Sequence, residues 1–184
     1  MQIIKAIARN IYVRQASCLL FAFIIVSICA FFAIDFFNQY TPAIYTSEDR
    51  ITHVITWLNL PAMTLVLGLY MKLSWEQTYG DHPEQDKKQR ALYVDYLSNT
   101  TQQLFAFALA LLQFCLFIPE NLLGLVPLFC VLFCLSRLFY IIGLAIFPIM
   151  KNLGSYLALF LSIIMLIYGF KLLVNWGTLL NAPF

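Results

Sequence analysis

The chain has 184 residues, of which 62% are hydrophobic and 11% charged, with a net charge of +2 and a mean hydropathy of +0.82. A soluble domain carries roughly 25% charged and 45–50% apolar residues, so a water-facing globular fold is excluded, and the small net charge argues against nucleic acid as a partner. Continuous apolar runs, each long enough to cross about 30 Å of hydrocarbon, predict an all-α polytopic transmembrane bundle, where a β-barrel would instead show short alternating segments.

Residues 1–14 carry Lys5, Arg9 and Arg14 and no acid, and lead into a first apolar run over about 16–37. That run is longer than the core of a signal peptide and lacks a following small-residue cleavage site, which predicts an uncleaved first helix. A polar link over 38–52 follows, giving an N-terminal unit of residues 1–50 and a four-helix membrane domain of residues 51–184. The second run covers about 53–74 and contains Pro61, expected to set a kink or local hydrogen bonding. Next comes the one strongly charged stretch, 75–90 (WEQTYGDHPEQDKKQR), expected to be a loop. The third run covers about 91–119, the fourth 121–147 up to Pro148, and the fifth 153–174. The five cysteines all lie inside apolar runs, where they read as small packing residues rather than metal ligands.

Lys/Arg bias sets the orientation. With the N-terminus in the cytoplasm, that side receives Lys5, Arg9, Arg14, Lys72, Lys87, Lys88, Arg90 and Lys151, and the other side Arg50 with Lys171 near its edge. This is the asymmetry of cytoplasmic loops, so the 75–90 segment is expected inside and the C-terminus outside. Trp57, Trp75 and Trp176 fall near predicted helix ends, as interfacial anchors do.

Arg137 is costly where it stands, because a cation inside an apolar helix faces a partner or a cavity. It lies roughly 15 Å from the cytoplasmic end of the fourth helix, while Asn99, Gln102 and Gln103 lie about 12–18 Å deep on the antiparallel third. Asp95, Asn99 and Gln102, at i, i+4 and i+7, form an expected polar stripe; Arg137 and Tyr140, at i and i+3, share a face of the fourth helix. Two readings stay open. The set lines a cytoplasm-facing pocket for a carboxylate-bearing, partly apolar ligand, or it is interhelical glue, with Arg137 paired to Asp95 or to a helix carbonyl.

At these residues the chain resembles the MAPEG family, the membrane-associated proteins in eicosanoid and glutathione metabolism. The segment LSNTTQQLFAFALALLQF from Leu97 is similar to the QNTLEQ-type segment that opens a membrane helix in bacterial members. SRLFYIIGL from Ser136 resembles the family's R-x-x-x-x-x-G-Y segment. The likeness runs over about 53–176 and makes the first helix an addition to a four-helix core.

The resemblance implies a homotrimer in a bacterial inner membrane, with glutathione or lipid sites between subunits at the cytoplasmic half. Asn99 and Gln103 match the motif's Asn and Gln, Arg137 its Arg and Gly143 its Gly. Gln102 stands where the family has Glu, Asp95 where many members have Arg, and Leu144 where Tyr follows the Gly. Tyr140 occupies a position that is His in some members, and Arg90 is the cation nearest to the one Asp95 replaces.

Three functions follow. The first is a glutathione-dependent transferase or peroxidase acting on lipophilic electrophiles. In it Arg137 binds a carboxylate of the cofactor, Arg90, Asp95, Asn99, Gln102 and Gln103 complete the binding site, and Tyr140 donates to the thiolate. The second is a non-catalytic lipid-binding protein or accessory subunit of a larger membrane complex. A small transporter is a third class, but it would be expected to carry an internal repeat that this sequence lacks.

Overall fold

In hydrocarbon every backbone N–H and C=O must be satisfied within its own segment, so apolar runs of this length fold as helices. The computed structural model describes residues 17–18, 20–29, 36–37, 46–79 and 83–180. Its helices are α1 (Leu20–Cys29), α2 (Ser47–Tyr79), α3 (Pro83–Phe117), α4 (Leu125–Ala145) and α5 (Pro148–Leu180), with a 3₁₀ turn at Glu120–Leu122 before α4. No strand occurs among the described residues. Four of the helices, α2 to α5, are long and apolar enough to cross a membrane. Of the first run expected over 16–37, the described part is the short apolar helix α1 with a few flanking residues, and the remainder lies outside the described residues.

The charged 75–90 stretch is not the loop expected from its composition. α2 runs on to Tyr79 and α3 starts at Pro83, so every described residue of that stretch is helical. Charge ends an apolar run but not a helix. Proline at the first helical position loses no hydrogen bond, and beyond the hydrocarbon the extended helix ends carry their charges into pairs. Glu76 lies 3.7 Å from Lys72 on its own helix and 3.8 Å from Arg90 on α3.

α3 lies between α2 and α5, and α4 packs against α5 most extensively while also touching α2. The α4–α5 hairpin is close because two glycines permit it. A Cβ on Gly143 would run into the backbone of Met150 and Lys151, and one on Gly154 into Ser136 O and, at 2.6 Å, Tyr140 N. Lipid tails are as apolar as leucine, so such close approach, and not water exclusion, drives helix association. Around this contact Phe107 and Phe133 stack with centroids 4.6 Å apart, flanked by the fully buried Leu111, Leu157, Leu161 and Met165. Phe114 meets both Phe129 and Tyr168 at 5.6 Å.

The α2–α3 contact has its own clasp. Thr64 Oγ1 donates to Pro61 O at 2.6 Å, the local hydrogen bonding expected around that proline, and Tyr96 Oη donates to Thr64 O at 3.0 Å. Gly68 leaves room for the Tyr96 ring. At the opposite end Arg50 Nη1 donates to Cys115 O (3.0 Å) and Ile118 O (2.6 Å), supplying donors to carbonyls that the end of α3 leaves without helical partners. Trp57 sits ten residues inside α2, edge-on to Phe37 at 6.5 Å, because α2 begins earlier than its apolar run. The Trp176 side chain lies outside those described.

Candidate functional site

The polar residues of α3 and α4 do meet at matching depth, in a seam that α5 completes. From α3 come Asp95, Asn99 and Gln103, at i, i+4 and i+8 on one side of the helix. From α4 come Ser136, Arg137 and Tyr140, and from α5 Lys151, Gly154 and Ser155. Arg137 is the centre and has no solvent-accessible surface. Its Nη1 donates to Asn99 Oδ1 at 3.0 Å. Its Nη2 donates to Gln103 Oε1 at 2.6 Å and to Gly154 O at 3.1 Å, and its Nε donates to Ser136 Oγ at 3.2 Å.

A guanidinium has five N–H groups, so these four bonds nearly saturate it. The Phe133 and Tyr140 rings lie 5.2 and 5.4 Å from Arg137 Cζ, within cation–π range. The Gln103 amide is used at both ends: while its oxygen accepts from Arg137, its Nε2 donates to Ser155 Oγ at 2.9 Å. One cation thus ties α3, α4 and α5 together through neutral acceptors, a charge-assisted set stronger per bond than neutral pairs.

Two expected members stand elsewhere. Gln102 is exposed and makes no part of the seam, because the inward line of α3 runs from the half-buried Gln103 through the buried Phe107, Ala110 and Phe114 and Gln102 is rotated about 100° off it. The expected stripe is therefore off by one residue, with Gln103 in the place given to Gln102. Arg90 is turned toward α2 and lies 3.8 Å from Glu76, so it does not stand in for a cation beside Asp95.

That cation is Lys151, which the sequence reading used only for topology. Its Nζ is 2.6 Å from Asp95 Oδ2, with both side chains partly exposed. Asp95 is consequently paired with Lys151 and not with Arg137. Tyr140 Oη donates to the same Asp95 oxygen at 3.4 Å, and its ring lies 5.7 Å from Lys151 Nζ. The signal for Lys151 was its position: a lysine in the first turn of α5, at the same membrane edge as Asp95 at the start of the third apolar run.

No family model, curated protein or solved structure matches this chain. Its function is therefore argued from its own geometry.

Bordering the seam, where the Tyr96 and Tyr140 rings lie 6.1 Å apart, is a cavity of about 220 Å³ between α2, α3 and α4. Met71 of α2, Leu92, Tyr93 and Tyr96 of α3, and Ile141 and Leu144 of α4 line it. The Tyr96 hydroxyl is already committed to Thr64 O, so the walls are largely hydrocarbon and aromatic. Leu144, at the position where the family resemblance leads one to expect a tyrosine, contributes an alkyl wall. Trp75 leans on Tyr93 with ring centroids 6.3 Å apart. Among the described residues no group of three or more His, Cys, Asp or Glu side chains is arranged to hold a metal.

Proposed function

We propose that this chain is a non-catalytic integral membrane protein of MAPEG-like build that binds lipid or accompanies another membrane protein. The observation that carries this reading is the seclusion of Arg137. The residue that would hold a glutathione carboxylate has no exposed surface and directs its donors at Asn99, Gln103, Ser136 and Gly154. A ligand carboxylate would have to displace bonds that join three helices. Tyr140, the proposed donor to a thiolate, is 2% exposed.

An assembled state, the homotrimer that the family resemblance implies, gains support from the outward face of α3. Ser98, Thr101 and Gln102 are exposed there on a helix apolar enough to span the bilayer. Polar side chains at that depth are relieved by hydrogen bonds to a neighbouring helix. The inward N-terminus belongs to the same proposal on the strength of the Lys/Arg bias, and the bacterial inner membrane on the strength of the motif resemblance.

The second reading, a glutathione-dependent transferase or peroxidase on lipophilic electrophiles, is favoured by the meeting of Asn99, Gln103 and Arg137 at one depth. Titration calorimetry of reduced glutathione into the detergent-solubilised protein separates the two, alongside turnover with a reactive aryl halide. The expected result is no binding and no turnover, with Arg137→Ala lowering resistance to unfolding. Micromolar to low-millimolar binding that vanishes in Arg137→Ala would overturn the non-catalytic reading.

A further inference from the structure

α2 turns one side of a membrane-spanning helix away from the bundle, and polar residues gather along it. Thr52, Thr56, Asn59, Met63, Val66 and Tyr70 follow one another at alternating steps of four and three residues, which places them on one stripe. All six are exposed. The stripe faces straight out: Met63, Val66 and Tyr70 are 65%, 57% and 68% exposed, against 40–47% for Ile51, Leu60, Leu67 and Leu69 on its two flanks. Those flanks are aliphatic, whereas the stripe holds two threonines, an amide and a phenol.

Asn59 is the costly member. It stands about 9 Å inside the apolar run that begins at 53. Thr56 Oγ1 donates to Thr52 O within the helix at 2.8 Å, and Tyr70 lies about 6 Å from Ser74 at the other edge of the run, close enough to reach the interface. Among the described residues the Asn59 amide has no hydrogen-bond partner. It carries two N–H donors and a carbonyl, and hydrocarbon answers none of them. A neighbouring helix of another subunit does.

What that helix must carry follows from depth. It needs donor and acceptor together, level with Asn59, on a face of the same spacing. A second copy of this chain supplies both by symmetry. Copies inserted in one orientation and related by an axis along the membrane normal have every residue level with itself. A parallel α2–α2 contact therefore sets the two asparagines opposite each other, each amide donating to the other's carbonyl. One polar asparagine in an otherwise apolar seam fixes the register of such a pair.

We propose that α2 is a self-association surface, with its 52–70 stripe packed on the same stripe of a second copy and Asn59 paired across the symmetry axis. This rests on the assembled state proposed above and adds a contact distinct from the exposed face of α3.

The experiment is energy transfer between terminally labelled full-length chains in liposomes, followed as the protein-to-lipid ratio is lowered. Asn59→Leu is expected to raise the ratio at half-assembly about tenfold, as for the loss of an interhelical hydrogen-bonded pair, and Asn59→Gln to restore most of it. Helix content by circular dichroism stays unchanged in both, since Asn59 serves no contact within the chain. Copper-phenanthroline oxidation then reads the geometry. Val66→Cys is expected to cross-link at least fivefold faster than Leu67→Cys, its neighbour about 100° round the helix, with the wild type and its native cysteines as the blank. An unchanged midpoint in Asn59→Leu overturns the asparagine pairing, and equal cross-linking at 66 and 67 overturns the stripe. Assembly that responds to Gln102→Leu but not to Asn59→Leu overturns this contact while leaving the assembled state intact. No energy transfer at any ratio overturns both.

Discussion

α3 presents two unlike sides to its neighbours. Toward α4 and α5 it spends Asn99 and Gln103 on a buried guanidinium, and α5 contributes Gly154, whose backbone lies against α4. Toward α2 it offers rings and alkyl groups around a cavity, where the polar contact is the Tyr96 hydroxyl on Thr64 O; the remaining polar contacts of this side stand at the helix ends, Arg50 on Cys115 O and Arg90 beside Glu76. The difference shows where a membrane bundle keeps its rigidity. Without water to expel, two apolar helix faces gain little over contact with lipid, and tight packing and interhelical hydrogen bonds do the joining. The α3–α4–α5 side has both, and the α2 side has room.

The comparison is broken most directly with one methyl group on each side. Gly154→Ala forces a Cβ against Ser136 O and Tyr140 N, both backbone atoms, so α4 and α5 must separate and the Arg137 bonds stretch. The expected cost is about 3 kcal/mol, at the upper end for overpacking, read as a shift in reversible unfolding by dodecyl sulfate in mixed micelles. Gly68→Ala meets the Tyr96 ring, a side chain bordering the cavity and able to yield into it. Its expected cost is about 1 kcal/mol. Equal costs would mean that the two sides are packed alike.

A polar substitution sharpens the same contrast within a single turn. Gln103→Leu takes an acceptor from Arg137 and a donor from Ser155, leaving part of a buried cation unanswered. About 1.5–3 kcal/mol is expected, as for a bond to a charged group. Gln102→Leu touches nothing in the seam and should alter unfolding of the isolated subunit by less than about 0.5 kcal/mol. If instead Gln102→Leu changes the assembly state on gel filtration, the outward face of α3 is a contact between subunits.

How much of this could be read from sequence depends on what each residue answers to. The helices were legible because hydrocarbon demands continuous apolar runs, and Arg137 was legible because its type is costly there. That Asn99 lies level with Arg137 followed from rise per residue and helix direction, although the partner expected for the arginine was Asp95 or a helix carbonyl. Choosing Gln103 over Gln102 needed the rotation of α3 about its axis. Adjacent glutamines differ by about 100°, and the stretch 98–103 (SNTTQQ) is polar all the way round the helix, so no amphipathic face announced which way was in. The ends of α2 and α3 were misjudged for a related reason: charge marks where hydrocarbon stops, whereas the helix stops where its hydrogen bonds do. The cavity had no sequence signature, since it is what three helices fail to fill.

The smallest effect belongs to the pair at the open end of the seam. Lys151 and Asp95 make a short contact, 2.6 Å, but both side chains remain partly exposed, at 37% and 47%. Water and salt reach them, and exposed pairs of this kind are worth roughly 0–1 kcal/mol. A double-mutant cycle with Lys151→Ala and Asp95→Ala should return a coupling of about 0.5 kcal/mol, shrinking as ionic strength rises toward about 1 M, where the screening length falls to about 3 Å. The cycle also tests how far the seam extends. Tyr140 shares the Asp95 oxygen and stacks on Arg137, so a rigid network would carry the loss inward and raise the coupling well above that of an exposed pair. A small, salt-sensitive value would instead place the boundary of the locked region at Tyr140, with Asp95 and Lys151 acting as a surface latch between the first turns of α3 and α5 that enter the bilayer.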